Sequence, residues 1–254
     1  MQYMGGKHRA GRHIAVFLDA SLRRLGGDYY EPFVGGCNLL KHLELGEGQR
    51  AFMSDANEAL IRMYQAYRKG WRPPTEVSKE EHRAARELPN SDPRKAFIRF
   101  GCSFGGVWSS GYARASADDP KRNYAQNAYK SLSTKRIGAA LYRYGSYTCI
   151  GQPTGATIYC DPPYADTRGY AAIGEFDSAA FWQWARGMAA TNDVFVSEYA
   201  CPVEHRLVWS KEQKTTCTLG DRKTATECLF EVLLESGPRS ASYRNGLINW
   251  IGER

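Results

Sequence analysis

Apolar residues recur along the chain with two spacings, one helical and one extended, and these predict its elements. Helical spacing marks residues 7–25, 57–68 and 178–190, and the composition of residues 79–88 predicts a charged helix. Asn38 opens a further predicted helix that reaches about Leu45. Short apolar runs predict strands at 28–33, 51–53, 156–159, 194–196 and 228–235. Because strands alternate with helices, we expect a mostly parallel sheet.

Residues 93–150 interrupt this alternation. Their glycine cluster, GCSFGGVWSSGYAR, predicts loops with close backbone approaches. We therefore expect an irregular insertion between two strands of the sheet. This predicts one domain formed by residues 1–92 and 151–254, with residues 93–150 inserted as a separate small lobe.

The same segment carries the basic charge of the chain. It holds ten Lys or Arg residues against two acidic ones, a net charge of +8, whereas the whole chain has a net charge of +7. Ten aromatic residues are interleaved with the cations. Cations suit a phosphate backbone and aromatic rings suit exposed bases, so this pattern favours contact with nucleic acid. A solvated basic face over an ordinary aromatic core would give the same pattern.

The composition excludes several other classes of protein. The 254 residues are 43% hydrophobic and 24% charged, as in globular proteins, and no run of about 18 apolar residues predicts a membrane span. The N-terminus, MQYMGGKHRAG, is polar and precedes no apolar signal core. Seven cysteines without a Cys-x-x-Cys pair argue against a disulfide framework or a zinc site. We expect a reduced cytoplasmic protein with no metal and no membrane partner.

A glycine turn and an acidic residue indicate a nucleotide-like ligand. Gly35 and Gly36 lie between a predicted strand and the following helix, where a ligand can approach the backbone. Asp55 ends the next strand, nineteen residues beyond Gly36, at the spacing from which a carboxylate reaches ribose hydroxyls. No Gly-x-Gly-x-x-Gly motif follows, so an adenosine ligand without phosphates fits better than a dinucleotide.

Lys7 is a cation at the start of a predicted helix, after Tyr3-Met4-Gly5-Gly6. A cation there opposes the helix dipole, which favours a role such as pairing a ligand carboxylate. A plain exposed lysine remains the alternative.

The stretch IYCDPPY, residues 158–164, joins a strand end to an acid, two prolines and a ring. The carboxylate of Asp161 and the carbonyl of Pro162 can both accept hydrogen bonds from an exocyclic amino group. The ring of Tyr164 can stack on a planar base. Such bonds make a conjugated amine more tetrahedral and therefore more nucleophilic. An ordinary turn that ends a strand is the simpler reading.

In this order, Tyr-x-Gly-Gly-Lys, Glu-Pro-Phe-x-Gly-Gly, Asp55, a basic insertion and Asp-Pro-Pro-Tyr, the chain resembles the Dam-type (D12 class) N6-adenine DNA methyltransferases. The resemblance also includes Thr167, Tyr170 and the FD…FW run at Phe176, Asp177, Phe181 and Trp182. The stretch Val196-Ser197-Glu198-Tyr199 is similar to that of phage-like members. The resemblance implies a mostly parallel, seven-stranded, Rossmann-like sheet that uses S-adenosylmethionine, with the inserted lobe recognising the DNA target.

The resemblance also assigns roles to residues. Tyr3, Gly6 and Lys7 would hold the methionine end of the cofactor, Lys7 through its carboxylate. Phe33, Gly35 and Gly36 would line the cofactor pocket, Asp55 would bind the ribose, and Asp161 would lie near the cofactor. Asp161, Pro162, Pro163 and Tyr164 would bind an adenine flipped out of double-stranded DNA. Candidate DNA contacts are Arg99, Arg114, Lys121, Arg122, Lys130, Lys135, Arg136 and Tyr170.

Two positions depart from the family pattern. Cys37 replaces a small residue, usually glycine, which predicts a narrower cofactor pocket, and Ser146-Tyr147 stands where many relatives have Asp-Tyr. Methylation of RNA adenine or of cytosine N4 remains an alternative, as does a DNA-binding protein that has lost activity. Some members of the family accompany a restriction endonuclease, but the resemblance implies no direct protein partner.

Overall fold

The computed structural model describes residues 7, 10–115, 119, 121–163, 176–216 and 222–234. Contacts divide the chain into two units, Met1–Gly151 and Gln152–Arg254. The basic segment therefore belongs to the same unit as the first strands. Among the described residues, no helix is long and apolar enough to cross a membrane. No group of three His, Cys, Asp or Glu side chains in that part of the chain could hold a metal ion.

The helices of the described chain are α1 (Gly11–Leu25), α2 (Glu58–Arg68), α3 (Lys79–Ala84), α4 (Pro93–Cys102), α5 (Tyr124–Ser133) and α6 (Ser178–Met188). The strands are β1 (Tyr29–Glu31), β2 (Ala51–Asp55), β3 (Ala140–Tyr144), β4 (Thr157–Cys160), β5 (Asp193–Glu198), β6 (His205–Thr216) and β7 (Arg222–Val232).

The seven strands belong to one mixed sheet. In the first unit, β1 pairs with β2 and β2 pairs with β3, both in parallel. In the second unit, β4 and β5 are parallel, while β7 is antiparallel to both β5 and β6. The expectation of an α/β fold with a mostly parallel, seven-stranded sheet is confirmed.

Local signals explain the helices of the first unit. α1 buries Ile14, Leu18 and Leu22 on one face and ends at Gly26, which has a φ of 69° and donates its N–H to the Leu22 carbonyl at 2.9 Å. Asn57 caps α2 by accepting the N–H of Leu60 at 3.1 Å. The predicted helix over 57–68 is therefore confirmed within one residue.

The second unit has a fully buried strand pair beside a capped helix. Every residue of β4 and β5 is buried, and each strand has a short run of consecutive apolar residues, 158–160 and 194–196. Asp177 caps α6 by accepting the N–H of Ala180 at 2.9 Å, and the helix buries Phe181, Trp182 and Ala185.

The helix predicted over 38–45 is wrong, because only a 3-10 turn, Leu40–His42, forms there. Leu39, Leu40 and Leu43 are all buried, and their spacing imitates that of a helix face. The Leu43 carbonyl instead accepts Nη1 of Arg136 at 2.8 Å. A side chain from the turn after α5 thus binds a carbonyl just beyond the 3-10 turn.

The expectation that residues 93–150 are irregular is also wrong, because the segment contains α4, α5 and β3. Asp92 caps α4, Pro93 occupies its first turn, and Asn123 caps α5. β3 lies at the sheet edge with Leu141 and Tyr144 partly exposed, so its sequence lacks a buried-strand signal. β6 was likewise not predicted, and β7 begins earlier than the apolar run from Cys228.

Gly101 sets the close packing of α4 on α5. A Cβ atom at this position would lie 2.7 Å from the Cβ of Ala128. We predict that Gly101→Ala lowers the free energy of unfolding by about 1–2 kcal/mol, since overpacking outweighs the gain in helix propensity. The measurement is denaturant unfolding of the full chain.

Gly187→Ala is the matched control, because Gly187 lies in α6 and a Cβ there meets nothing within 4 Å. This variant should match the wild type or be up to about 1 kcal/mol more stable. A Gly101→Ala protein as stable as the wild type would contradict the packing argument.

Candidate active site

The chain leaves β1 in a buried turn, residues 34–38, which we call the glycine turn. Gly35 and Cys37 have positive φ angles, 42° and 49°. The N–H of Val34 donates to the Ser54 carbonyl at 3.0 Å, and the N–H of Cys37 donates to the Val34 carbonyl at 2.7 Å. Gly35 and Gly36 are both buried, so their remaining polar backbone groups need partners within the protein.

Three side chains from separate elements supply those partners. Asp55, at the end of β2, accepts the N–H of Gly35 through Oδ2 at 2.9 Å. The hydroxyl of Tyr64 on α2 donates to the Gly35 carbonyl at 2.7 Å. Nζ of Lys135, from the turn after α5, donates to the Gly36 carbonyl at 2.5 Å. The glycine turn is therefore held by side chains and not by a continuous helix.

Asp55 is buried but keeps room for further donors. It also accepts the N–H of Asn57 through Oδ1 at 2.9 Å, and its exposure is 7%. Burial raises the pKa of its carboxyl to about 6, although the two backbone N–H groups lower it. A carboxylate has about four acceptor positions, and described residues occupy two. Two acceptor positions are therefore not used by the described residues.

Lys135 does not lie where a DNA contact was expected. Its exposure is 3%, and besides Gly36 its Nζ donates to Oδ1 of Asn38 at 2.5 Å and approaches the Cys37 carbonyl at 3.5 Å. Burial lowers the pKa of this amine to about 8. These contacts favour a role beneath the glycine turn in place of a role on a DNA surface.

Cys37, the departure from the family pattern, is fully buried. Its Sγ lies 3.9 Å from the hydroxyl of Tyr142, which donates to the Ile137 carbonyl at 3.2 Å. Burial raises the pKa of the thiol to about 12, so it is neutral. Its left-handed backbone costs about 1–2 kcal/mol relative to glycine. The predicted narrowing of a cofactor pocket stays a prediction.

An aromatic pair flanks the turn on the side of β3. Phe33 is half-buried and stacks with Tyr147, with ring centroids 5.7 Å apart and planes 24° apart. The N–H of Gly145 donates to the Asp55 carbonyl at 3.1 Å, which carries the chain from β3 past the end of β2. Tyr147 was not assigned a role from the sequence, although its position in the Ser146-Tyr147 pair was a usable signal.

Lys7 is buried, and its carbonyl accepts the N–H of Gly11 at 2.8 Å. Lys7 lies four residues before α1, so the helix predicted from Lys7 begins later, at Gly11, and Lys7 is not the exposed lysine of the alternative. Tyr3, Gly6, Tyr164, Thr167 and Tyr170 lie outside the described residues, so their predicted roles stay predictions.

In the second unit, Asp161 follows directly after β4. It is half-buried, Pro162 is buried and Pro163 is half-buried. The preceding strand is fixed to β5 by the hydroxyls of Tyr159 and Ser197, which lie 2.8 Å apart. Proline at 162 and at 163 restricts the backbone that follows Asp161. Asp161 thus lies directly after the carboxyl end of a fully buried strand, as the sequence predicted.

The remaining basic candidates differ in exposure. Arg99 is half-buried, with its guanidinium 5.0 Å from the centre of the Phe100 ring. The exposed candidates are Arg114, Lys121, Arg122, Lys130 and Arg136. Arg114 and Arg122 line a pocket of about 370 Å³ beside Tyr112 and Tyr124. The guanidinium of Arg122 lies 4.9 Å from the centre of the Tyr124 ring, an arrangement that combines a cation with an aromatic face.

The sequence of the chain is similar to that of one known family. The model of a family described as D12 class N6 adenine-specific DNA methyltransferase matches residues 3–156, a range that ends before Asp161. No curated protein matches the chain.

Two solved structures show a remote similarity. A proposed methyltransferase, yhhF, of Escherichia coli has 11% identity and a TM-score of 0.34, over 89% of this chain and 88% of that one. A conserved hypothetical protein of Streptococcus pyogenes has 12% identity and a TM-score of 0.32, over 84% and 93%. Both scores are below 0.5, so these similarities do not bear on function.

The raised pKa of Asp55 gives stability a definite pH dependence. Between the ordinary value of 3.8 and about 6, the folded chain binds more protons than the unfolded chain, so ionisation on raising the pH destabilises the fold. Relative to Asp55→Asn, we predict that the wild type loses about 1 kcal/mol of unfolding free energy between about pH 5 and about pH 7. Denaturant titrations across that range measure the difference.

Glu47→Gln is the control, because Glu47 is an exposed acid in the turn before β2. Its stability should follow the wild type at every pH. A constant difference between wild type and Asp55→Asn would show that the buried carboxyl is ionised throughout the range.

Proposed function

Because the chain belongs to the D12 class N6 adenine-specific DNA methyltransferase family, we propose that it transfers a methyl group from S-adenosylmethionine to N6 of an adenine flipped out of double-stranded DNA. The observation that carries the proposal is the placement of two carboxylates, each at the carboxyl end of a parallel strand. Asp55 ends β2 beside the glycine turn, and Asp161 directly follows β4. Ligands of open α/β sheets bind at such strand ends.

The residues of the first unit fit the cofactor. Asp55 has two acceptor positions left for ribose hydroxyls, and the glycine turn lets a ligand approach the backbone of Gly35 and Gly36. Phe33 offers an aromatic face, already stacked on Tyr147. Lys7, with Tyr3 and Gly6, would hold the methionine end, where an ammonium can pair with a carboxylate. When bound, S-adenosylmethionine would supply an electrophilic methyl group: the S–CH3 bond would break as the N6–C bond forms, S-adenosylhomocysteine would leave, and N6 would release one proton to water.

The residues of the second unit suit the adenine. Its N6 amino group has two N–H donors, and its lone pair is conjugated with the ring, so it is a weak nucleophile. The carboxylate of Asp161 and the carbonyl of Pro162 would accept those two donors. Both bonds draw the nitrogen toward tetrahedral geometry and expose its lone pair. Tyr164 would stack on the adenine ring and, with Pro163, help to replace the stacking lost on flipping.

The basic segment would position the duplex. Arg114, Lys121, Arg122 and Lys130 are exposed, and they account for much of the net charge of +8 between residues 93 and 150. Such cations bind phosphates regardless of sequence and release counterions, which makes affinity depend on salt. Arg99 and Arg136 remain candidates of the same kind, together with Tyr170. The inserted lobe is thus proposed as the element that recognises the target.

The reaction is tested by incubating the protein with isotope-labelled S-adenosylmethionine and either unmethylated genomic DNA or total RNA. Each nucleic acid is then digested to nucleosides, and the labelled nucleoside is identified. We expect label in N6-methyldeoxyadenosine. Asp161→Ala should lose at least about 10³-fold of that activity at saturating cofactor, because positioning and activation of the amine are both lost. Glu47→Ala, an exposed acid-to-alanine change, should keep the wild-type rate.

Other outcomes would separate the alternatives. Label in N4-methylcytosine or in RNA would keep the reaction class and overturn the substrate. Absence of label together with absence of cofactor binding would favour a DNA-binding protein without activity. An Asp161→Ala protein with most of its activity would overturn the role of that carboxylate.

A second prediction concerns the basic surface. Arg122→Ala should weaken duplex binding for every sequence and reduce the slope of log K against log salt by about 1, the loss of one phosphate contact. Arg68→Ala is the control, because Arg68 is exposed at the end of α2, outside the basic segment. Binding measured by fluorescence anisotropy at several salt concentrations gives both slopes. Equal slopes for wild type and Arg122→Ala would remove Arg122 from the interface.

A further inference from the structure

Lys135 joins two parts of the chain that have separate proposed tasks. It follows α5, within the segment proposed to bind DNA, yet its side chain ends beneath the glycine turn. The residue after it, Arg136, has a left-handed backbone with a φ of 57°, and its Nη1 donates to the Leu43 carbonyl at 2.8 Å. Lys135 and Arg136 thus bind the two ends of the segment 36–43.

The partners of Lys135 are all neutral oxygens. Its ammonium meets the carbonyls of Gly36 and Cys37 and Oδ1 of Asn38, and none of these contacts within the described residues is with a carboxylate. The charged and titratable groups around it are Glu31, whose carboxylate favours the charged form, Lys41, which opposes it, and Cys37, whose thiol would favour it only when ionised. Tyr142 faces Cys37 and is neutral, because burial raises the pKa of its hydroxyl.

A buried cation without a close anion is costly to the fold. The oxygens around it need a donor, because they would otherwise be buried and unpaired, but a neutral donor would satisfy them without the cost of desolvating a charge. The positive charge of Lys135 thus goes beyond what the backbone of the glycine turn requires, and it favours the binding of an anionic group there. A cofactor with a carboxylate provides such a group, and Lys7 alone does not account for the charge beneath the turn.

We propose that Lys135 is a positioning residue for S-adenosylmethionine, which fixes the glycine turn through Gly36 and Asn38 and supplies positive potential to it from the DNA-binding segment. The inference rests on the proposed function. It also replaces the expected DNA contact of Lys135 with a role toward the cofactor.

The protonation of Lys135 provides a direct signature. Its pKa is lowered to about 8, so the ammonium is charged at neutral pH and loses its proton as the pH rises through that value. The neutral amine donates two hydrogen bonds in place of three and carries no charge. Cofactor affinity should therefore fall as the pH rises through about 8.

The experiment measures the dissociation constant of S-adenosylhomocysteine by isothermal titration calorimetry, with the full chain, from about pH 6.5 to about pH 9.5. At neutral pH, Lys135→Met should bind at least about tenfold more weakly than the wild type, and Lys135→Arg within about threefold of it. Lys69→Met is the matched control and should leave the constant unchanged, because Lys69 is exposed at the end of α2.

The pH profiles separate a charge effect from a structural one. Titration of the ligand amine affects every variant alike, so the difference between wild type and variant isolates Lys135. The wild type should show a loss of affinity near pH 8 that Lys135→Arg lacks, because arginine keeps its proton. This comparison decides the matter even if Lys135→Met does not fold.

Several results would overturn the inference. These are a folded Lys135→Met protein with wild-type affinity, a Lys135→Arg protein no better than Lys135→Met, or identical pH profiles for wild type and Lys135→Arg. A wild type that binds no S-adenosylhomocysteine would instead refute the proposed function. The two failures are therefore distinguishable.

Discussion

The first unit depends on one constraint: a buried turn with little regular structure must still satisfy its polar backbone groups. The glycine turn cannot use helical bonds, because its chain passes through left-handed positions at Gly35 and Cys37. Unpaired buried groups would cost about 1–3 kcal/mol each. Side chains from β2, α2 and the turn after α5 therefore converge on it. Asp55, Tyr64 and Lys135 fix the turn and at the same time fix the elements that carry them relative to one another.

That constraint explains features which look unrelated in the sequence. β3 pairs with β2, and just after β3 the N–H of Gly145 donates to the Asp55 carbonyl. The segment between α5 and β3 must therefore run close to the glycine turn. Residues 38–45 form only a short 3-10 turn, and Arg136 binds the Leu43 carbonyl just beyond it. The lobe that was expected to be an irregular appendage supplies a strand and two anchors to the body of the unit.

The sequence predicted the parts of the site that follow local rules. Gly35, Asp55 and Asp161 lie at strand ends, and hydrophobic runs locate those ends without knowledge of the fold. Lys135 could not be predicted in this way, because a count of cations does not distinguish a phosphate contact from an ammonium buried under carbonyls 99 residues away. β3 was missed for a related reason: an edge strand with exposed Leu141 and Tyr144 has no clear apolar period.

The same turn is held by two ionisable groups whose pKa values burial moves toward each other. Asp55 is ionised above about pH 6, and Lys135 is protonated below about pH 8. Only between those values do a carboxylate and an ammonium hold the turn together, one through an N–H and the other through carbonyls. Burial of each charged group, the carboxylate of Asp55 and the ammonium of Lys135, lowers the stability of the fold. At neutral pH it nevertheless leaves a negative and a positive charge on two sides of one short backbone segment. The proposed cofactor, which has both ribose hydroxyls and a carboxylate, would match that arrangement.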